Sequence, residues 1–226
     1  MVDKVINELK RGKAAGLDTL TAEHLQYSNP YIATILSKVF NWILTSGHIP
    51  PRFGMSYTVP LLKGDSITHL WSFSKRWRLC RISISPVISK VLGYCIIEQY
   101  SQFLNTTDNQ FGFKKQLSCS HVILVYAVCN IIDHFISGGS IVNVWLLDVS
   151  KAFDKMSHYA LYIKLINHNI PLNLLKIIEN WFNTLYTCVR WGRHLSTFLS
   201  SLRVLDREVF YHEDYLLCLL MTCHKK

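Results

Sequence analysis

Residues 141–154 read IVNVWLLDVSKAFD, and this stretch decides which fold the sequence predicts. The first part is nearly all apolar, with β-branched and aromatic side chains, and it leads into Asp148. Such a run is typical of a strand that is buried on both faces. A carboxylate at its end is costly unless it is paired, hydrogen-bonded or bound to a metal. Nucleotidyl transferases hold Mg²⁺ in this way, whereas an Asp that caps the next turn or helix has the same local sequence.

Helices are predicted on both sides of this stretch, wherever apolar residues recur at helical spacing. They cover residues 31–46, a segment that begins at Pro86, and residues 120–136, 159–167 and 172–185. Strands are predicted at residues 57–62, 141–147 and 187–191. Several helices combined with few strands predict the α+β class.

The composition favours a folded, basic chain. Half of its 226 residues are hydrophobic and only 17% are charged, which excludes a disordered tail. The formal net charge is +9. Such a charge on the surface of an apolar chain favours a partner that carries phosphate groups, although a basic surface that serves only solubility has the same charge.

The seven cysteines are odd in number and form no C-x-x-C pair, which argues against a disulfide framework or a zinc ribbon. We expect buried free thiols in a reducing, intracellular compartment, either nucleus or cytoplasm. The first residues lack the apolar core of a signal peptide. The most apolar stretch, residues 122–132, is shorter than the ~20 residues of a membrane span. No membrane partner is therefore predicted.

A basic and aromatic segment follows the first predicted strand. It contains Lys63, Lys75, Arg76, Arg78 and Arg81, interleaved with Trp71, Phe73 and Trp77. Basic side chains bind phosphate, and aromatic rings or guanidinium planes stack on bases. A solvated loop whose aromatic residues anchor it to the core has the same composition.

Two adjacent acids, Glu213 and Asp214, lie between apolar runs near the C-terminal end. In a β-hairpin they would occupy a tight turn between buried strands. Two-metal catalysis needs carboxylates from separate segments that converge on ions about 3.5–4 Å apart. The alternative is an ordinary polar turn between two hydrophobic segments.

Together these motifs resemble the reverse transcriptase domain of non-LTR (LINE-type) retrotransposons over nearly the whole chain. Their order and spacing carry the resemblance. The segments read KAAGLD (13–18), EHL (23–25), FN (40–41), GHIP (47–50), VPLLK (59–63), RISISPVISKVL (81–92), QFGFK (110–114), LDVSKAFD (147–154) and VRWG (189–192).

The resemblance implies an incomplete right-hand polymerase fold. Residues 1–135 would form the fingers and part of the palm, residues 136–226 would form the rest of an incomplete palm, and the thumb would be absent. The implied reaction is RNA-directed DNA synthesis from dNTPs, with Mg²⁺ as the cofactor and an RNA template and a DNA primer as partners.

The resemblance also implies roles for single residues. Three acids become the catalytic metal ligands: Asp148, Glu213 and Asp214. The Val149 carbonyl lies beside the first of them. Phe153 takes the place of an aromatic ring that would clash with a ribose 2′-OH and admit a deoxyribose.

Two further sets of residues are expected to contact the nucleotide and the nucleic acid. Lys63 and Arg81 would bind the triphosphate, with Arg78 as the alternative to Arg81. The expected nucleic-acid-binding residues are Lys75, Arg76, Gln110, Phe111 and Lys114.

Departures from the family pattern predict that catalysis is impaired. The family's Y-x-D-D turn reads YHED at residues 211–214. The extra methylene of Glu213 moves a metal-bound oxygen by about 1 Å, which a two-metal geometry tolerates poorly. The Gly-x-x-Gln-Gly segment that supports template and base has no counterpart in residues 201–207.

Three interpretations therefore remain. The sequence predicts a reverse transcriptase-like domain with impaired catalysis, and the alternatives are an inactive nucleic-acid-binding remnant and a non-functional fragment. A second alignment treats residues 204–210 as a degraded Gln-Gly segment and the last acids as accidental. Apolar faces left uncovered by the missing parts predict self-association.

Overall fold

The computed structural model describes residues 1–62, 79–104, 132–143, 145 and 157–200, with the backbone alone at residues 62 and 79–81. The helices are α1 (Val2–Glu8), α2 (Ala22–Gln26), α3 (Tyr31–Ser46), α4 (Val87–Gln99), α5 (Asp133–Ser137), α6 (His158–Asn167) and α7 (Leu172–Asn183). The strands are β1 (Met55–Leu62), β2 (Leu79–Ile84), β3 (Tyr186–Trp191), β4 (His194–Leu195) and β5 (Leu199–Ser200).

One mixed sheet holds these strands in the order β2-β1-β3-β4, with β5 also paired to β3. β1 runs antiparallel to β2, from Tyr57↔Ile84 to Leu62↔Leu79. It runs parallel to β3, from Met55↔Tyr186 to Thr58↔Val189. This small mixed sheet with its helices confirms the predicted α+β class. The right-hand polymerase arrangement is a finer statement and stays a prediction.

The described residues fall into two compact units. The first contains Met1–Glu98 together with the residues from Pro171 onward, and it holds the whole sheet. The second contains Gln99–Ile170. In this second unit α6 begins after Ser157, whose hydroxyl accepts a hydrogen bond from the Ala160 N–H at 3.4 Å. The predicted boundary between fingers and palm at residue 135 belongs to the polymerase assignment and stays a prediction.

Helix α3 begins and ends where the sequence predicts. It buries Phe40 and Ile43 at helical spacing, and it packs against α1 and α7. Gly47 ends the helix at a φ of 71°, a left-handed conformation that glycine adopts without steric cost. The Ile49 N–H then donates to Asn180 Oδ1 at 2.8 Å, which fastens the chain after α3 to α7.

The other predicted elements are largely confirmed. The strands predicted at residues 57–62 and 187–191 are the C-terminal parts of β1 and β3. The helices predicted after Pro86, at residues 159–167 and after Pro171 correspond to α4, α6 and α7. α5 is the described part of the helix predicted at residues 120–136, and Gly138 follows it.

The strand predicted at residues 141–147 is not observed in its described part. Ile141, Val142, Asn143 and Trp145 belong to no strand. Ile141 and Trp145 are 90% and 87% exposed. Apolar residues form a strand only where a neighbouring strand supplies backbone partners, and these four residues are paired with no described strand. The prediction was wrong for these four residues; Val144 and residues 146–154 lie outside the described part.

Candidate functional site

The β1–β2 hairpin carries the segment that was predicted to bind a triphosphate. Arg81 lies in β2, where its backbone is paired with Pro60 of β1. The last pair of the ladder is Leu62↔Leu79. Residues 63–78, which contain most of the basic segment, connect the two residues of this pair and lie outside the described part of the chain.

The other predicted site residues lie outside the described part of the chain. They are Asp148, Glu213 and Asp214 for the metal; Lys63, Arg78, Val149 and Phe153 for the nucleotide; and Lys75, Arg76, Gln110, Phe111 and Lys114 for nucleic acid. Their roles, and the choice between Arg78 and Arg81, stay predictions.

A bridge of three hydroxyl groups ties the central strands together on one face of the sheet. The Thr58 hydroxyl of β1 lies 2.8 Å from the Ser83 hydroxyl of β2 and 2.9 Å from the Thr187 hydroxyl of β3. Thr58 and Ser83 are buried. Because buried hydroxyls are costly without partners, this bridge favours one register of the three strands. The hydroxyl bridge was not predicted from the sequence, although Ser56 and Thr58 alternate with apolar residues along the strand.

Tyr57 is the centre of the opposite face. Its ring is buried with Ile84 and Cys188. Its hydroxyl donates to the carbonyl of Ala15 at 2.9 Å, and the Arg190 guanidinium carbon lies 5.2 Å from the centroid of the ring. One side chain of β1 therefore contacts both the loop before α2 and the end of β3.

The loop before α2 is held by contacts on both of its sides. The Gly12 N–H donates to Glu23 Oε1 at 2.6 Å, and this bond is the largest cause of a lowered pKa at Glu23. A Cβ on Gly16 would lie 2.9 Å from Pro86 Cα, so the backbones of the KAAGLD segment and of the chain before α4 are in close contact. Lys10 and Lys13 remain exposed on this loop.

Cys95 and Cys188 are buried free thiols, as the sequence predicts. Burial raises the pKa of the Cys95 thiol to about 11, and burial also raises the pKa of the Cys188 thiol. Both thiols are therefore protonated at neutral pH, and a protonated thiol is a poor nucleophile and a poor metal ligand.

Within the described ranges, no group of three or more His, Cys, Asp or Glu side chains is placed to hold a metal ion. The predicted Mg²⁺ ligands lie elsewhere in the chain, so the Mg²⁺ prediction is untouched by this finding. No helix in the same ranges combines the length and the apolarity of a membrane span.

The comparison with known proteins adds no family assignment. The resemblance described above therefore rests on the sequence motifs themselves. No protein-family model matches the chain, and no curated protein is similar to it at a significant level.

Proposed function

We propose that the chain is a reverse transcriptase-like domain that binds nucleic acid and in which nucleotidyl transfer is impaired. The observation that supports this proposal is the convergence of four motif-bearing segments on one sheet. Their described parts are residues 13–18, 59–62, 81–92 and 189–192. Other residues separate these segments along the chain, and the fold brings them together.

Three of these segments contact one another directly, and the fourth pairs with the residue before one of them. Val59 and Pro60 pair with Ile82 and Arg81 across the β1–β2 ladder. Gly16 lies against Pro86. The segment at residues 189–192 begins at Val189, which pairs with Thr58, the residue before Val59. This convergence supports the proposal, because the resemblance implies that these segments belong to one domain.

The hairpin also supports the predicted triphosphate site. Lys63 follows Leu62 in the sequence and Arg78 precedes Leu79, and Leu62 and Leu79 form the last pair of the β1–β2 ladder. An ammonium group and a planar guanidinium suit a triphosphate as point charge and fork. Arg81 lies two residues after Leu79 in β2, and its backbone pairs with Pro60. Separate replacement of Arg78 and Arg81 would show which of them takes the role.

The catalytic part of the proposal concerns Asp148, Glu213 and Asp214, which would hold Mg²⁺. When bound, the metal neutralises the charge that develops on the phosphates during in-line displacement. The longer side chain of Glu213 and the missing Gly-x-x-Gln-Gly support would each weaken this stabilisation. Because each 1.36 kcal/mol of lost transition-state stabilisation costs tenfold in rate, two such defects predict a rate below detection.

Primer extension tests the catalytic part. The purified chain is incubated with Mg²⁺, dTTP and an oligo(dT) primer on a poly(rA) template, with Asp148→Ala as the matched control. We expect no extension, and we expect none after Glu213→Asp because the template support is still missing. Extension that needs Mg²⁺ and disappears in Asp148→Ala would show that catalysis is intact.

Binding to an RNA–DNA hybrid tests the nucleic-acid part. Phosphate contacts release counterions, so retention should fall steeply between low and moderate salt. Arg78→Ala and Arg81→Ala should weaken retention, whereas Lys38→Ala, which removes an exposed charge from α3, should not. Retention that changes neither with salt concentration nor in the two arginine variants would favour the interpretation as a non-functional fragment.

A further inference from the structure

The hairpin formed by β3 and β4 presents aromatic and basic side chains at its tip. Its ladder pairs Arg190 with Leu195 and Trp191 with His194. Gly192 opens the two-residue turn with a φ of 59°, the positive value that tight hairpin turns need at this position. The tip is therefore a short hairpin closed by a two-residue turn.

Several hydrogen bonds keep the hairpin in one conformation. The Val189 N–H donates to the Ser196 hydroxyl at 2.9 Å, and the Ser196 N–H donates to the Val189 carbonyl at 2.9 Å. The Arg190 Nε–H donates to the Gly192 carbonyl at 3.4 Å. Because β3 also pairs with β1 in the centre of the sheet, the hairpin is anchored at its base and rigid towards its tip.

The tip offers a flat ring beside positive charge. Trp191 is 67% exposed, and Arg193 and His194 are exposed as well. Trp191 and His194 face each other in the ladder, so their side chains leave the same face of the hairpin. Arg190 leaves the other face, where its guanidinium lies over the Tyr57 ring.

The charge of this segment is of one sign. No acidic residue occurs between Glu179 and Asp206, whereas Arg190, Arg193 and Arg203 all lie in this interval. Basic residues lie on both sides of Trp191 in the chain, and positive charge beside an exposed ring favours a partner that carries phosphate groups. An exposed aromatic ring with adjacent cations is the combination that binds single-stranded nucleic acid, by base stacking and phosphate contact.

We propose that Trp191, Arg193 and His194 form a binding site for an unpaired nucleotide of single-stranded nucleic acid. The base stacks on the Trp191 indole, and the Arg193 guanidinium contacts an adjacent phosphate. His194 lies beside the stacked base on the same face of the hairpin. Trp191 lies in the 189–192 segment, and the site rests on the proposed nucleic-acid binding, which it deepens. It uses none of the residues assigned to the metal or the triphosphate, and it requires neither Mg²⁺ nor nucleotidyl transfer.

Fluorescence anisotropy with the full chain tests the proposal. The probes are fluorescein-labelled dT₁₀ and rU₁₀ in EDTA, titrated at several salt concentrations. Trp191→Ala should weaken binding about tenfold, since stacking of one base on an aromatic side chain is worth roughly 1–3 kcal/mol. Trp191→Phe should recover most of the affinity. Trp42→Ala removes an exposed indole from α3 and serves as the matched control.

The phosphate contact of Arg193 is tested with a separate variant and a separate control. Arg193→Ala should weaken binding and reduce the slope of log affinity against log salt by about 1, as the loss of one phosphate contact does. Arg52→Ala removes an exposed guanidinium elsewhere in the same unit and should leave the slope unchanged. Circular dichroism of each variant verifies that the fold is retained, which the exposure of both target residues leads us to expect.

Several results would overturn the proposal. They are the absence of binding to either probe, equal losses in Trp191→Ala and Trp42→Ala, and a change in self-association without a change in probe affinity, which would make the hairpin a protein contact. The outcome is distinguishable from that of the proposed function. Hybrid retention that depends on Arg78 or Arg81 but not on Trp191 would overturn this site alone, and the reverse pattern would support this site alone.

Discussion

At the scale of single residues, Gly54 occupies a described position that has no room for a side chain. It lies between the short 3₁₀ helix Pro51–Gly54 and β1. A Cβ at this position would overlap the Thr184 carbonyl oxygen. Gly54 ends the 3₁₀ helix and Thr184 lies between α7 and β3, so neither backbone can move away without disturbing an adjacent element.

Gly54→Ala should therefore lower the free energy of unfolding by at least about 2 kcal/mol, near the upper part of the range for overpacked sites. Urea unfolding followed by circular dichroism measures this change. Gly138→Ala is the matched control, because its Cβ would meet its nearest neighbours at an ordinary 3.5 Å, and we expect a change within about 0.5 kcal/mol. Equal effects of the two substitutions would contradict the close approach at Gly54.

At the scale of elements, the hydroxyl bridge joins β2, β1 and β3 through Thr58. Thr58→Val keeps the shape of the side chain but leaves the Ser83 and Thr187 hydroxyls without this partner. Loss of one partner from a buried polar pair costs about 1–3 kcal/mol. We expect a loss of stability of this size in urea unfolding.

Two further variants separate the bridge from the loss of any threonine hydroxyl. Thr45 is exposed on α3 and its hydroxyl donates to the carbonyls of Asn41 and Trp42, so Thr45→Val should cost much less. Ser83→Ala combined with Thr58→Val should cost less than the sum of the single changes, because the second change removes the orphaned hydroxyl. Strict additivity would show that the two hydroxyls do not interact.

At the scale of the whole molecule, an apolar stripe along α3 predicts self-association. Its members are Tyr31, Ile35, Val39 and Trp42, all exposed at helical spacing. Contiguous exposed apolar surface promotes association in water. We expect the average mass in sedimentation equilibrium to rise with protein concentration, and Ile35→Lys to lower it. Asn41→Lys adds the same charge to an exposed position outside the stripe, and an identical effect of both lysines would count against the stripe.

Much of the fold could be predicted because it depends on local interactions. Helix α3 is built from hydrogen bonds between residues four apart, which are local in the chain. Its apolar stripe and the glycine at its end are both visible in the sequence. The strand segments of β1 and β3 also stand out as β-branched and aromatic runs. The motifs of the candidate site were also predicted from the order of residues along the chain. For one predicted site residue, Arg81, the fold adds its backbone pairing with Pro60.

The sequence by itself determined the α+β class, the bounds of α3, the buried thiols at Cys95 and Cys188 and the order of the motifs. Only the tertiary structure decided that β1 is the strand between β2 and β3, and that the Thr58 and Thr187 hydroxyls meet across 129 residues of chain. It also decided that Ile141 and Trp145 are exposed and outside the sheet. The physical reason is that strand pairing and burial depend on what lies opposite a residue in space, and a sequence specifies its neighbours only along the chain.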